Sequence, residues 1–210
     1  MNFSSCDRIS QKDIEAIAAS LNQMWGPQCS ETDSSSFKKA AAFFGKAYLY
    51  HNLSQCSIVR VFHADKKTAG IFCVRLLDAK SFHPLYRIKS IFYLLPMLLN
   101  KRTRIYLGGW KKYYRNCHLQ EKKLPSFYRA ELKLLFTLQD FRGQGLGKIM
   151  LSEMKTLLKE KNGASYFLHT DTECNYKFYD ASGLVLLDKL SFGIPSDPNY
   201  CKYMYGEAPL

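Results

Sequence analysis

Apolar residues recur at helical spacing through Ile14, Ile17, Ala18, Leu21 and Trp25, until Gly26 and Pro27 stop them. Ser10 and Asp13 have the spacing of a capping box, with Asp in place of Glu or Gln, so a first helix begins after Ser10. Phe37, Ala41, Phe44 and Tyr48 share one helical face and predict a second helix over 36–50. The period then changes. Residues 57–63 and 69–77 are two β-rich runs around a short charged turn, most simply an antiparallel hairpin. An amphipathic helix is expected over 85–95, and residues 130–140 read as a strand. Leu146, Ile149, Met150, Met154, Leu157 and Leu158 mark one face of a helix that Asn162 and Gly163 would close. Residues 165–171 read as another strand, 175–183 as a short helix ending at Gly183, and 184–192 and 200–206 as two closing strands.

A chain of 210 residues, 47% of them apolar, suits one large domain or two small ones and argues against disorder. The longest apolar run, 91–99, is interrupted by Pro96, whereas a spanning helix needs roughly 20 residues. No transmembrane segment is expected. The opening "MNFSSCDRIS" lacks a basic region followed by an apolar one, so no signal peptide is expected and a cytoplasmic location is the default. The 7 cysteines are far apart with no C-x-x-C, and the 5 histidines show no H-x-x-x-H spacing. Reduced, mostly buried cysteines and no metal site follow.

Charge changes the picture more. The net charge is +12, and residues 81–123 hold ten basic residues (Arg87, Lys89, Lys101, Arg102, Arg104, Lys111, Lys112, Arg115, Lys122, Lys123) against one acid, Glu121. Such a segment suggests an anionic partner, be it an acidic acceptor, phosphate, nucleic acid or membrane surface, unless it is only a solvated face.

Between the strand at 130–140 and the following helix stands "DFRGQGLGKIM", with glycines at 143, 145 and 147. The first turn of a helix leaves N–H groups unpaired and favours negative charge, and glycines allow unusual φ beside a ligand. The loop is thus a phosphate-binding candidate. It is not a Walker loop, since Ile149 stands where a hydroxyl would be needed, and by itself it could also be a plain strand-to-helix turn.

Arg142-Gly143-Gln144-Gly145-Leu146-Gly147 fits R/Q-x-x-G-x-G/A, and "NYKFYDASGL" is similar to N-x-x-x-Y-x-x-x-G-F, with Leu184 in place of Phe. In these motifs and in the order of its elements the chain resembles the GCN5-related N-acetyltransferase (GNAT) superfamily over most of its length. The resemblance implies an α/β fold: a single domain, 1–210, with a mixed, splayed sheet of about seven strands flanked by helices. It places an acetyl-CoA-binding core at 130–184 and treats 78–126 as a basic helical insertion between strands three and four.

The implied function is transfer of an acetyl group from acetyl-CoA, as co-substrate and without a metal, directly to a small-molecule or peptide amine. Backbone groups of Leu135, Phe136 and Thr137 would bond the pantetheine arm. The N–H groups of Arg142, Gly143, Gln144, Gly145, Leu146, Gly147 and Lys148 would cradle the pyrophosphate. Asn175 would bond the pantetheine region, cap the next helix, or both. Glu131 would be the general base, directly or through water, unless it is a salt-bridged strand residue. Tyr179 would protonate the departing sulfur, unless it only packs; Tyr176 could exchange places with it under another helix register. An oxyanion donor is expected near Thr137. Phe82, Tyr86, Phe92, Tyr93, Trp110, Tyr113 and Tyr114 are candidates for an acceptor wall, although packing suits most of them. A homodimer and an anionic acceptor are partner readings. Two other functions compete: a nucleic-acid or anionic-surface binding protein that uses the basic segment, and an acetyl-CoA sensor without transfer.

Overall fold

The computed structural model describes residues 2–79, 82–161, 165–192 and 198–207. A short strand that the pattern did not announce, β1 (Ser4–Cys6), precedes helix α1 (Gln11–Trp25). The capping box forms: the Asp13 amide donates to Ser10 Oγ at 3.2 Å, and the Ser10 amide donates to the Asp13 carboxylate at 2.9 Å. The single helix expected over 36–50 is instead two, α2 (Ser35–Ala41) and α3 (Phe44–Leu53). The cause lies in α1. Asn22 Oδ1 accepts the Gly45 amide at 3.1 Å, and a Cβ on Gly45 would stand 1.9 Å from the Ala18 carbonyl oxygen. Helix α3 therefore starts where glycine lets its backbone press against α1.

The hairpin forms from β2 (Ile58–Ala64) and β3 (Lys67–Leu76), turning on Asp65 and Lys66 at φ 49° and 62°. Two helices follow where the pattern announced one: α4 (Pro84–Leu99) and α5 (Lys101–Glu121). Asn100 ends the first and caps the second, its side chain accepting from the amides of Arg102 and Thr103. The rest runs β4 (Tyr128–Thr137), α6 (Leu146–Glu160), β5 (Ser165–Asp171), α7 (Lys177–Asp180), β6 (Val185–Ser191) and β7 (Cys201–Gly206). The cap expected at Asn162 and Gly163 lies outside the described residues.

Seven strands make one sheet in the order β1-β2-β3-β4-β5-β7-β6. All neighbours are antiparallel except β4 and β5, which are parallel. Helices α1 and α3 cover one face through Ile17, Leu21, Leu49 and Leu53; α6 covers the other through Leu146, Met150, Met154 and Leu158. Lys202 on β7, fully buried, ties α5 to the sheet: its ammonium meets Cys117 Sγ and the Tyr113 carbonyl.

One irregularity positions everything that follows. Val74 pairs with Leu132 and Cys73 with Leu134, so Lys133 is an extra residue on β4, a β-bulge. Leu132 consequently packs beneath α6, while Leu134 and Phe136 pack beneath α1 and α3. Pairing between β4 and β5 ends at the same point, with Leu132 opposite Leu168. From Lys133 onward the two parallel strands part, and the sheet is splayed.

Candidate active site

The parted strands open onto a cleft of about 1310 Å³. Glu131 to Thr137 line it from β4, and His169, Thr170 and Asp171 from β5. Helix α5 closes the far side with Tyr106, Trp110, Tyr113 and Tyr114, joined by Trp25 and Tyr48 from α1 and α3. The rings pack on one another, with Trp110 at 5.3 Å from Tyr48 and 5.5 Å from Tyr113. Of the aromatic wall candidates, Trp110, Tyr113 and Tyr114 thus face the cleft. Tyr86 and Tyr93 instead pack on Tyr50, and Phe82 and Phe92 are exposed. None of the ten basic residues of the 81–123 segment lines the cleft.

At the other end stands the glycine loop. Gly143 and Gly145 adopt φ 74° and 80°, and a Cβ on either would meet nothing within 4 Å. Backbone conformation, not crowding, explains these two glycines. Gly145 is the N-cap of α6, so the amides of its first turn point along the loop. Arg142, Gly143, Gly145, Leu146, Gly147 and Lys148 line the cleft, as do Leu135, Phe136 and Thr137. Gln144 does not: its side chain turns back to donate to the Asp140 carbonyl at 2.9 Å. Arg142 Nε donates to the Thr137 carbonyl at 3.2 Å, strapping the loop to β4.

Tyr179 lines the cleft beside Asn175 and packs against Phe178 and Tyr205. Burial, with Cys174 and Asp171 nearby, pushes its phenol well above the ordinary tyrosine range, so it stays protonated at neutral pH. Tyr176, the possible exchange partner, stacks on Tyr203 at 4.5 Å. Asn175 is exposed, and the N-cap of α7 is Tyr176 without a side-chain hydrogen bond, so Asn175 is not the cap of that helix.

Glu131 is 2% exposed and held between two cations, Arg75 Nη2 at 2.6 Å and Lys133 Nζ at 3.1 Å. Sequence reasoning missed its neighbours. His169 Nε2 lies 3.4 Å from Glu121 Oε1, and Arg75 reaches Glu121 at 3.5 Å as well. Neither ring nitrogen of His169 has a well-formed hydrogen bond. Burial pushes the imidazole below its ordinary pKa, with Glu121 only partly opposing, so the ring is neutral at pH 7. Burial works against the Glu121 carboxylate, yet His169, Arg75 and Lys133 together hold it below the usual range. The ligand atoms of Glu121, Glu131 and His169 fall within 4.8 Å of one another, a spacing a metal ion could use. Arg75 and Lys133 already balance both carboxylates, however, and leave a neutral cluster around a neutral imidazole.

A family model described as the acetyltransferase (GNAT) family matches residues 107–183. Over this stretch the chain is similar to the GNAT acetyltransferases. The GNAT match runs from within α5, inside the stretch read as an insertion, to Gly183, and so takes in the bulged strand, the glycine loop and Tyr179. No curated protein matches the chain by sequence. Among solved structures, arylalkylamine N-acetyltransferase 2 from Aedes aegypti is 14% identical with a TM-score of 0.62, covering 99% of both chains. The histone acetyltransferase HPA2 and related acetyltransferase from Corynebacterium glutamicum is also 14% identical, with a TM-score of 0.57 over 100% of this chain and 98% of that one. The PaiA N-acetyltransferase from Thermoplasma acidophilum, solved in complex with coenzyme A, is 12% identical with a TM-score of 0.50 over 99% of both. At these identities the likeness is one of fold: the mixed, splayed seven-stranded sheet is the GNAT fold.

Proposed function

We propose that the protein is an N-acetyltransferase that moves an acetyl group from acetyl-CoA directly to an amine. The observation that carries this reading is the parting of β4 from β5 at Lys133, with the glycine-capped start of α6 at one end of the opening and Tyr179 and His169 on its walls. The β4 edge at Leu135 to Thr137 lacks a strand partner on the β5 side, and an amide-bearing pantetheine arm can take that place. Its pyrophosphate then meets the N–H groups at the start of α6. The thioester comes to lie between Tyr179 and the cluster of His169, Glu131 and Glu121.

The chemistry follows from those positions. The amine nitrogen attacks the thioester carbonyl carbon, the C–S bond breaks, and the sulfur leaves with the proton of the Tyr179 phenol. The proton shed by the amine passes to the cluster, where neutral His169 is the basic site and Glu131 and Glu121 stabilise the imidazolium. Aromatic rings on the far side suit an amine on an apolar or aromatic body, whether a small molecule or a peptide end.

The direct test is the melting temperature with saturating acetyl-CoA, against ATP and NAD as controls. A ligand at about 100 times its dissociation constant stabilises by about 2.7 kcal/mol, so a rise specific to acetyl-CoA is expected. No rise would defeat the reading. A panel of amines is then screened for release of the CoA thiol. Tyr179→Phe should lower turnover about 100-fold while leaving acetyl-CoA affinity unchanged; an unaffected rate would leave Tyr179 as packing.

A further inference from the structure

Helix α4 turns an apolar face to solvent. Its inner side is accounted for: Ser90 Oγ donates to the Ala47 carbonyl, Met97 is buried, and Tyr93 stacks on Tyr50. Its outer side carries Leu85, Ile88, Phe92, Leu95 and Leu99, with exposures from 50% at Leu95 to 84% at Leu99. Ile91 and Leu98, 48% and 42% exposed, widen the stripe. A contiguous apolar face of this kind marks an interaction surface rather than the scattered single residues of an ordinary exterior.

The charge around the stripe says what covers it. Helix α4 holds no acid; of its two charged residues, Arg87 donates to His51 Nδ1 and Lys89 lies over the Tyr50 ring, both toward the body of the protein. Lys101 and Arg104, both exposed, stand in the first turn of α5 beyond Leu99 and Asn100, and Lys111, Lys112 and Arg115 lie exposed further along α5. The one acid of the two helices, Glu121, pairs with Arg75 and lies beside His169. None of these basic residues lines the cleft. A second copy of the chain would bring the same positive charge against itself, and Ile91 and Leu98 make the stripe broader than a two-per-heptad coiled-coil seam. No helix among the described residues is long and apolar enough to cross a membrane, but a helix with this pattern can lie in the plane of one.

We propose that α4 docks on an anionic lipid surface, its apolar face entering the headgroup boundary while the exposed basic residues of α5, Lys101 and Arg104 first, meet lipid phosphates. Helix α5 walls the cleft with its inner side, so docking would hold the active-site mouth close to the lipid surface.

The test is co-sedimentation of the full chain with vesicles of phosphatidylcholine alone and of phosphatidylcholine mixed equally with phosphatidylglycerol. Binding to the anionic vesicles should exceed binding to the neutral ones about tenfold at low salt, and fall as salt rises. The double variant Ile88→Ser/Phe92→Ser should lose about tenfold in partition with an unchanged melting temperature, and Lys101→Glu/Arg104→Glu should lose a similar amount. Absence of sedimentation with either vesicle would overturn the proposal. So would binding that ignores the Ile88 and Phe92 changes, which would reduce the segment to plain polyanion attraction. A dimer in light scattering that the same changes dissociate would assign the face to a second copy instead.

Discussion

Gly145→Glu should abolish coenzyme A binding, with the dissociation constant rising at least about 100-fold, while the protein remains folded. Gly145 stands at φ 80°, where a residue with a Cβ is strained by about 1–2 kcal/mol. Space is not the obstacle, because an added Cβ would have no heavy atom within 4 Å. The larger effect is electrostatic. A carboxylate at the N-cap of α6 sits where the helix attracts an anion, so it folds onto the same N–H groups that the pyrophosphate needs. That contact supports the helix, offsetting part of the backbone strain, and it opposes a ligand of like charge. Gly145→Ala separates the two contributions, since it imposes the φ strain without the charge and should weaken binding much less. Titration calorimetry with coenzyme A reads both variants. Wild-type affinity in Gly145→Glu would remove the loop from the ligand site.

How much of this could be read from the chain alone depends on whether a feature is local. The capping box at Ser10 and Asp13 and the hairpin of β2 and β3 are each written in a few neighbouring residues, and each is found where the pattern put it. The glycine loop is local too, because positive φ at Gly143 and Gly145 is a demand the sequence carries at the residue itself. What went unread is tertiary. The split between α2 and α3 is imposed by Asn22 and Ala18 of another helix. The bulge at Lys133 appears only through its register with β3. Helix α5 did carry a signal, since Tyr106, Trp110, Tyr113, Tyr114 and Cys117 repeat at helical spacing. The aromatic and polar character of that face, and Gly108 and Gly109 within it, masked the repeat. His169 looked like one more residue in a strand. Its setting is assembled from β3, α5, β4 and β5 by Arg75, Glu121, Glu131 and Lys133, and no spacing along the chain announces that meeting.

The second large effect concerns that cluster. His169→Gln should lower kcat/KM by about 100- to 10,000-fold with acetyl-CoA affinity preserved, because it removes a proton acceptor and leaves the cofactor end of the cleft untouched. The pH profile makes the assignment specific. Burial lowers the His169 pKa below its ordinary 6.5, so in the wild type the ring is neutral at pH 7 and becomes protonated only as pH falls further. Activity should therefore persist below the ordinary imidazole range and decline only as the pH falls further, and His169→Gln should lack this decline. Any limb set by ionisation of the acceptor amine would persist in both proteins, which tells the two apart. Glu131→Gln is the companion variant. It keeps the shape of the side chain but takes the negative charge away from Arg75 and Lys133, so those cations then disfavour a proton on His169. If His169 is the acceptor and Glu131 supports it, Glu131→Gln slows the reaction and moves the acid limb to lower pH. If Glu131 takes the proton itself, Glu131→Gln removes the activity and its acid limb, while His169→Gln leaves most of the rate. Equal losses in both variants, with no further loss in the double variant, would mean that the imidazole and the carboxylate act as one unit at the fork of β4 and β5.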